Sequence, residues 1–289
     1  MAEVRYIRSF DDTMLYTESE GRGPAVVLCD GLGCDGFIWK YLWPDLVARH
    51  RVIHAHYRGH GKSEPPAHAA NLGIDALRAD LGCVLAAHEA DGAVLVGHSM
   101  GAQVVLDYAL RPATPVSGII SLCGSYGRPL DTLRGNKALG SMFPLLRAAL
   151  GKFPLAAERF WQWFFQSDFS FAYAHRFEAN EKHLVPDDFR PYFEHLSRMD
   201  PQMFVQLVGE LQSHSVLEAL PTLALPALIV AGERDTFCPA ELSKRMARAL
   251  PGAQLVIVPG GSHVAPLEAP KMCGEAVSAF LQLRVRGLG

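Results

Sequence analysis

The chain has no apolar run approaching the roughly 20 residues that a membrane-spanning helix needs, so no membrane partner is expected. It also lacks a basic cluster. The 27 Lys and Arg residues are scattered among 30 Asp and Glu, giving a formal charge of -3. Nucleic acids and anionic surfaces are captured by concentrated positive charge, so no nucleic-acid partner is expected either and a small-molecule substrate is favoured. The first eight residues mix acid with base and contain no apolar stretch of the signal-peptide kind; the expected location is cytoplasmic. Cysteine is sparse: Cys29, Cys34, Cys83, Cys123, Cys238 and Cys273 are dispersed over 289 residues, which suits reduced thiols better than a disulfide framework. Cys29 and Cys34 lack the spacing of redox or zinc pairs, and no second pair completes a ligand set. No metal and no cofactor is expected.

What the chain does have is core-forming material, with 49% apolar residues. Short apolar runs at residues 25–29, 52–55, 93–96, 118–122, 227–231 and 255–258 read as buried strands. Helical patterns alternate with them: Leu77, Leu81, Val84, Leu85 and His88 recur at i+3/i+4 spacing, as do Leu242, Met246 and Leu250 behind Pro239. Such alternation predicts an α/β fold with a mostly parallel sheet and helices on both faces. Residues 4–7 and 14–17 flank the turn signal Asp11-Asp12 and read as an antiparallel edge hairpin, which brings the sheet to about eight strands.

Between residues 128 and 221 the alternation stops. Helical stretches at 160–165 and 189–197 are broken by prolines, and the segment holds 15 of the 27 aromatic residues in 94 positions. That pattern predicts a helical cap inserted between two parts of a core domain, residues 1–127 and 222–289. Most of its aromatic side chains would form the cap's own core, with a minority lining a pocket.

The chemistry concentrates in three places. Gly97-His98-Ser99-Met100-Gly101 follows an apolar run and precedes a helical one. A serine at the tip of a sharp strand-to-helix turn needs small residues two before and two after it, because side chains there would strike neighbouring backbone. With 16 serines and 26 glycines in the chain, the pentapeptide alone has roughly 0.13 chance matches; the strand-turn-helix context is what makes it specific. A serine hydroxyl is a poor nucleophile near neutral pH, so it needs a base within reach and an acceptor to orient that base. Asp235 lies just past the strand at 227–231, and His263 lies on the loop after the strand at 255–258. Open α/β sheets assemble their sites at these strand ends. An aspartate there is often a helix cap and a lone histidine often a surface group, and Glu233, Asp200 and Glu210 are rivals for the acid. The coincidence of three placements in the order Ser99, Asp235, His263 favours Asp235.

Asp30-Gly31-Leu32-Gly33, Tyr57-Arg58-Gly59-His60-Gly61-Lys62-Ser63, residues 97–101, 232–235 and 261–270 together resemble the ordered signature set of the α/β-hydrolase superfamily, in its serine esterase and lipase-like branch. The resemblance covers the chain outside the cap. It implies an oxyanion hole of two backbone N–H groups, mapped here onto Leu32 and Met100, the latter also at the positive end of a helix. Two positions depart from the pattern. The family usually has His-Gly where this chain has Asp30-Gly31, and an aspartate where it has His56. The two residues look exchanged, which suggests an Asp30–His56 pair bracing the oxyanion loop; independent drift without contact is the alternative. His54 and His56 share a strand face, but no third convergent ligand is evident for a metal.

These readings converge on hydrolysis of a carboxylic ester with an apolar acyl or aryl group, through an acyl-enzyme on Ser99. The same triad could serve a lactonase, thioesterase, acyltransferase or carbon-carbon hydrolase. A ligand receptor on the same fold is the non-enzymatic alternative.

Overall fold

The computed structural model describes residues 2–131 and 138–286. Eight strands form one sheet: β1 Glu3–Arg8, β2 Met14–Glu20, β3 Ala25–Cys29, β4 Arg51–Ala55, β5 Ala93–His98, β6 Val116–Leu122, β7 Ala227–Gly232 and β8 Gln254–Val258. Their spatial order is β1-β2-β4-β3-β5-β6-β7-β8. The β1/β2 and β2/β4 pairs are antiparallel and all others parallel, so the edge hairpin and the mixed sheet stand as the sequence predicts. The order reverses around β3, which sits between β4 and β5. Loops leaving β3 and β5 therefore diverge to opposite sides, and a crevice opens between them at the carboxyl ends of the strands.

Strand alternation divides the interior in two. Val27, Ile53, Leu95, Ile119 and Ile229 face one cluster, completed by helices α2 Ile74–Ala87, α3 Met100–Leu110 and α9 Ala240–Ala249. Val26, Leu28, Val52, Val94, Val96, Ile120 and Val230 face the other, completed by α1 Leu42–Val47 and α11 Pro270–Arg286, with the short α10 Ala265–Glu268 before it. Consecutive residues thus leave a strand for opposite layers, and the central strands are buried along their whole length.

Between β6 and β7 lie five helices: α4 Ala138–Lys152, α5 Pro154–Gln166, α6 Asp168–Phe177, α7 Pro186–Arg198 and α8 Pro201–Ser213. Three of them begin on a proline, whose fixed φ and missing N–H suit a first turn. Of the residues assigned to this segment from sequence, 132–137 lie outside the described residues. Helix α7 carries it against the sheet. The Asp188 carboxylate, buried at the start of α7, accepts from Tyr41 Oη at 2.6 Å and from Lys40 Nζ. Among the described residues no helix is long and apolar enough to cross a membrane.

Candidate active site

Ser99 is the single residue between the end of β5 and the start of α3, so it alone must turn the chain. It does so at φ 52°, ψ −114°, a conformation that costs a non-glycine residue about 1–3 kcal/mol and persists only where the surroundings enforce it. The enforcement is visible. A Cβ on Gly97 would lie 2.4 Å from the carbonyl carbon of Gly101, and one on Gly101 would lie 2.1 Å from the Cys29 carbonyl oxygen. No side chain fits at either position, which is the physical content of the Gly-x-Ser-x-Gly spacing.

His263 Nε2 lies 2.9 Å from Ser99 Oγ, and His263 Nδ1 lies 2.9 Å from Asp235 Oδ2. The second Asp235 oxygen accepts from the backbone N–H groups of Phe237 and Cys238 at 2.8 and 2.7 Å. With the carboxylate accepting at Nδ1, the ring proton sits there and Nε2 faces the hydroxyl as acceptor. Hydroxyl, imidazole and carboxylate are thus within the reach that proton transfer requires, in the order read from the sequence.

The rival acids have other work. Glu233 accepts from Gly260 N–H at 2.8 Å and tightens the loop after β8. Asp200 caps α8 through Gln202 N–H, and Glu210 lies against Gly73. Residues that the sequence did not single out hold the histidine loop. Glu268, buried, accepts from Ser262 N–H, Ser262 Oγ and Asn180 N–H, and Asn180 Nδ2 donates to Gly260 C=O at 2.8 Å. His98 bonds the His263 carbonyl through Nε2 at 3.0 Å. Burial, with His263 nearby, pushes His98 down to about 4, so it is a neutral donor near pH 7. A histidine flanking the elbow serine was the available signal; Glu268 falls within the 261–270 segment, at the end of α10, but nothing in that stretch marked it apart from its neighbours.

The loop after β3 lies directly on the elbow: a Cβ on Gly31 would sit 3.1 Å from Ser99 Cβ. Its Asp30 carboxylate is fully buried and accepts from Trp39 Nε1 at 2.6 Å. Its other oxygen meets His54 Nε2 at 2.8 Å. The Asp30–His56 pair expected from the exchanged motif positions is therefore corrected: the partner is His54. In the β3/β4 register Leu28 stands beside His54, so the pairing continued by two residues would bring Asp30 beside His56; the carboxylate instead reaches back along the same strand face to His54. His56 is occupied otherwise, accepting Lys62 N–H at Nδ1 (2.8 Å) and lying 4.6 Å from the Tyr16 ring centroid. On the far side of the ring, His54 Nδ1 meets Glu18 at 3.1 Å, its direct cross-strand partner in β2.

A second clamp descends from α7. His195 Nδ1 bonds Gly33 C=O and its Nε2 accepts Gly61 N–H, both at 2.8 Å, joining the helical segment to two loops at the rim. Tyr192 and Leu196 of the same helix lie over Gly33, and the Phe237 ring stands 5.0 Å from that of His263. Arg58, fully buried, anchors the loop after β4: it donates to Asp80 at 2.7 and 2.5 Å and to Asp11 at 2.8 Å.

Among the described residues, two groups of side chains are close enough to share a metal ion. One is Asp235, Cys238 and His263, which overlaps the relay above; the other is Glu18, His54 and His56. The second is poorly suited to a cation. His56 has one lone pair in its neutral ring, and Lys62 N–H already takes it at Nδ1. A cleft of about 440 Å³ lined by Ala109, Pro112, Val116 and Leu223 lies at the opposite end of α3, roughly 16 Å down the helix from Ser99, and has no link to this chemistry.

A family model described as the alpha/beta hydrolase fold matches residues 24–270. Among curated proteins, the chain is 30% identical over 273 residues to a pimeloyl-[acyl-carrier protein] methyl ester esterase from Methylococcus capsulatus, covering 92% of this chain and 98% of that one. It is 29% identical over 268 residues to polyketide synthase ThaQ from Burkholderia thailandensis, where the match covers 92% of this chain but spans only 12% of the relative's length. A thermophilic esterase from Thermogutta terrifontis superposes with a TM-score of 0.79 at 21% identity, over 98% of this chain and 99% of that one.

Proposed function

The chain belongs to the alpha/beta hydrolase family, and from that premise we propose that it is a serine esterase working through an acyl-enzyme on Ser99. Ser99 Oγ attacks the ester carbonyl while His263 Nε2 takes the hydroxyl proton and Asp235 steadies the resulting imidazolium. The N–H groups of Leu32 and Met100 receive the oxyanion. Among the described residues neither amide is taken by another protein acceptor, and Met100 adds the positive end of α3. His263 then protonates the departing alkoxide, and a water activated by the same nitrogen attacks the acyl carbon and frees Ser99.

The observation that carries this reading is the continuous relay of two 2.9 Å contacts from Ser99 through His263 to Asp235. A merely structural serine has no need of a strained backbone that thrusts it toward an oriented imidazole. Tyr192, Leu196 and Phe237 beside the loop and relay support an apolar acyl or aryl group, with residues 128–221 acting as the cap over it. The thermophilic esterase and the methyl ester esterase that the chain resembles are consistent with ester chemistry.

The test is steady-state hydrolysis of p-nitrophenyl esters from acetyl to decanoyl by wild type and Ser99→Ala. The expected result is turnover by wild type and a loss of about 10⁴-fold or more in the variant, with the chain-length optimum sizing the acyl pocket. Adding an alcohol acceptor separates hydrolysis from acyl transfer. Turnover that survives Ser99→Ala would overturn the assignment.

A further inference from the structure

The proposed reaction builds negative charge at the Leu32 N–H, two residues from a buried carboxylate. Asp30 is 0% exposed, out of contact with bulk solvent, and its backbone lies against Gly101 at the foot of the elbow. An uncompensated carboxylate there would oppose the oxyanion and pull the loop out of place. Trp39 Nε1 donates to one oxygen, and His54 faces the other. His54, 1% exposed, is held between Asp30 at 2.8 Å and Glu18 at 3.1 Å.

We propose that His54 is a positioning residue for the Ser99 reaction: as a cation it pairs with Asp30, fixes the loop that presents the Leu32 N–H, and cancels the Asp30 charge before the oxyanion forms. The inference rests on the esterase reading and adds to it a residue outside every motif of the chain.

The surroundings of His54 favour the cation. Burial opposes the charge, yet the Asp30 and Glu18 carboxylates outweigh it and push His54 up to about 9. Asp30 stays below its ordinary value in spite of burial, chiefly because of His54, with the Trp39 bond adding to it. The neighbouring His56 is pushed down to about 4 by burial and by His54 itself, so a single imidazolium serves the cluster near pH 7. The other groups facing the ring from packed elements are Trp43 of α1, edge-on at 6.5 Å, and Asp35 of the loop after β3, whose own carboxyl burial holds above its ordinary value. Lys62 lies beyond His56, over the Tyr16 ring. Glu18, half-buried at the far end, holds the other ring nitrogen and carries the one negative charge left over, on the side of the array nearer solvent.

The experiment is a cycle of four proteins: wild type, His54→Gln, Asp30→Asn and the double variant. Gln keeps a donor facing Asp30 but no charge; Asn keeps the shape of the carboxylate without its charge. In the ester assay His54→Gln is expected to lower kcat about 100-fold with KM within about threefold, because the loss falls on the transition state. Adding Asp30→Asn is expected to raise the rate again, to within about tenfold of wild type, since it removes the orphaned charge. Losses that simply multiply, or a change confined to KM, would overturn the positioning role. Should His54→Gln fail to fold, the pH profile decides. Wild-type kcat should fall as pH rises past about 9, while Asp30→Asn should lack that limb; a wild type without it contradicts the proposal. A chain with no Ser99-dependent turnover would defeat the esterase reading instead, and the melting temperatures of the same proteins would still judge the pair. The double variant must then melt above His54→Gln, and one that melts below it overturns the pair.

Discussion

The rim of the sheet and the helices between β6 and β7 treat polarity and exposure in opposite ways. At the rim, ionisable side chains are buried or half-buried and held by partners: Arg58 with Asp80 and Asp11, His54 with Asp30 and Glu18, His263 with Asp235. In the helical segment the unusual side chains are apolar and outside. Ten of the sixteen large apolar side chains that are exposed among the described residues fall between Met142 and Val185. Helix α5 shows the contrast on one element. Trp161 and Phe165, four apart, turn inward onto Phe204 and Phe193, whereas Phe160 and Trp163 face out at 61% and 63% exposure. A buried charge network tolerates almost no change, because each partner left behind keeps its desolvation cost. An exposed apolar face can change with little consequence for folding. Ser99, His263 and Asp235 therefore stand in the half whose polar side chains are locked by partners, and the exposed apolar faces belong to the helical segment.

Substitutions can break or sharpen this contrast. The largest expected effect is at the rim: Asp235→Asn should lower kcat by about 10³–10⁴-fold, because His263 loses its tautomer and orientation. Stopped-flow acylation would check it, and a loss under tenfold would return the acid role to a rival. Next is Arg58→Ala, expected to cost roughly 3–5 kcal/mol of stability by stranding Asp80 and Asp11 in the interior, read from urea unfolding. Within the helical segment, Phe193→Ala on the inward face of α7 should cost about 3 kcal/mol, while Phe160→Ala on the outward face of α5 should stay within about 0.5 kcal/mol. Equal costs for the two phenylalanines would erase the distinction.

Stability should also depend on pH in a directed way. His54 is raised from 6.5 to about 9, so its contribution is complete below about 6.5 and is lost as pH rises through about 9. His56, His60 and His98 are each lowered to about 4, burial being the first cause. Their contribution is present above about 6.5 and is lost as pH falls toward about 4. Melting temperatures across pH 4 to 10 should therefore peak in the middle, and His54→Gln should flatten the alkaline side alone.

The parallel strands were legible because each carries a short apolar run, the edge hairpin because Asp11-Asp12 marks its turn, and Ser99, Asp235 and His263 because each follows an apolar run. The same reasoning failed at Asp30. Strand adjacency was readable, but the choice between His54 and His56 depends on which way the Asp30 carboxylate turns and on the Lys62 N–H that claims His56, and neither leaves a trace in local sequence. His195 and Glu268 were missed for a related reason: apart from the Ser262 hydroxyl, they bind backbone groups of Gly33, Gly61, Asn180 and Ser262, which almost any residue could offer. The helical segment showed its aromatic content but not which side of α5 would face outward, because Phe160 and Trp163 place aromatic rings on the exposed side as well.

The most direct test of the account is to catch the covalent intermediate. Wild type mixed with p-nitrophenyl butyrate and quenched within milliseconds should gain the mass of one butyryl group, mapped by peptide fragmentation to Ser99 and absent from Ser99→Ala. An adduct on another residue, or turnover with no adduct under conditions where deacylation is slowed, would contradict it.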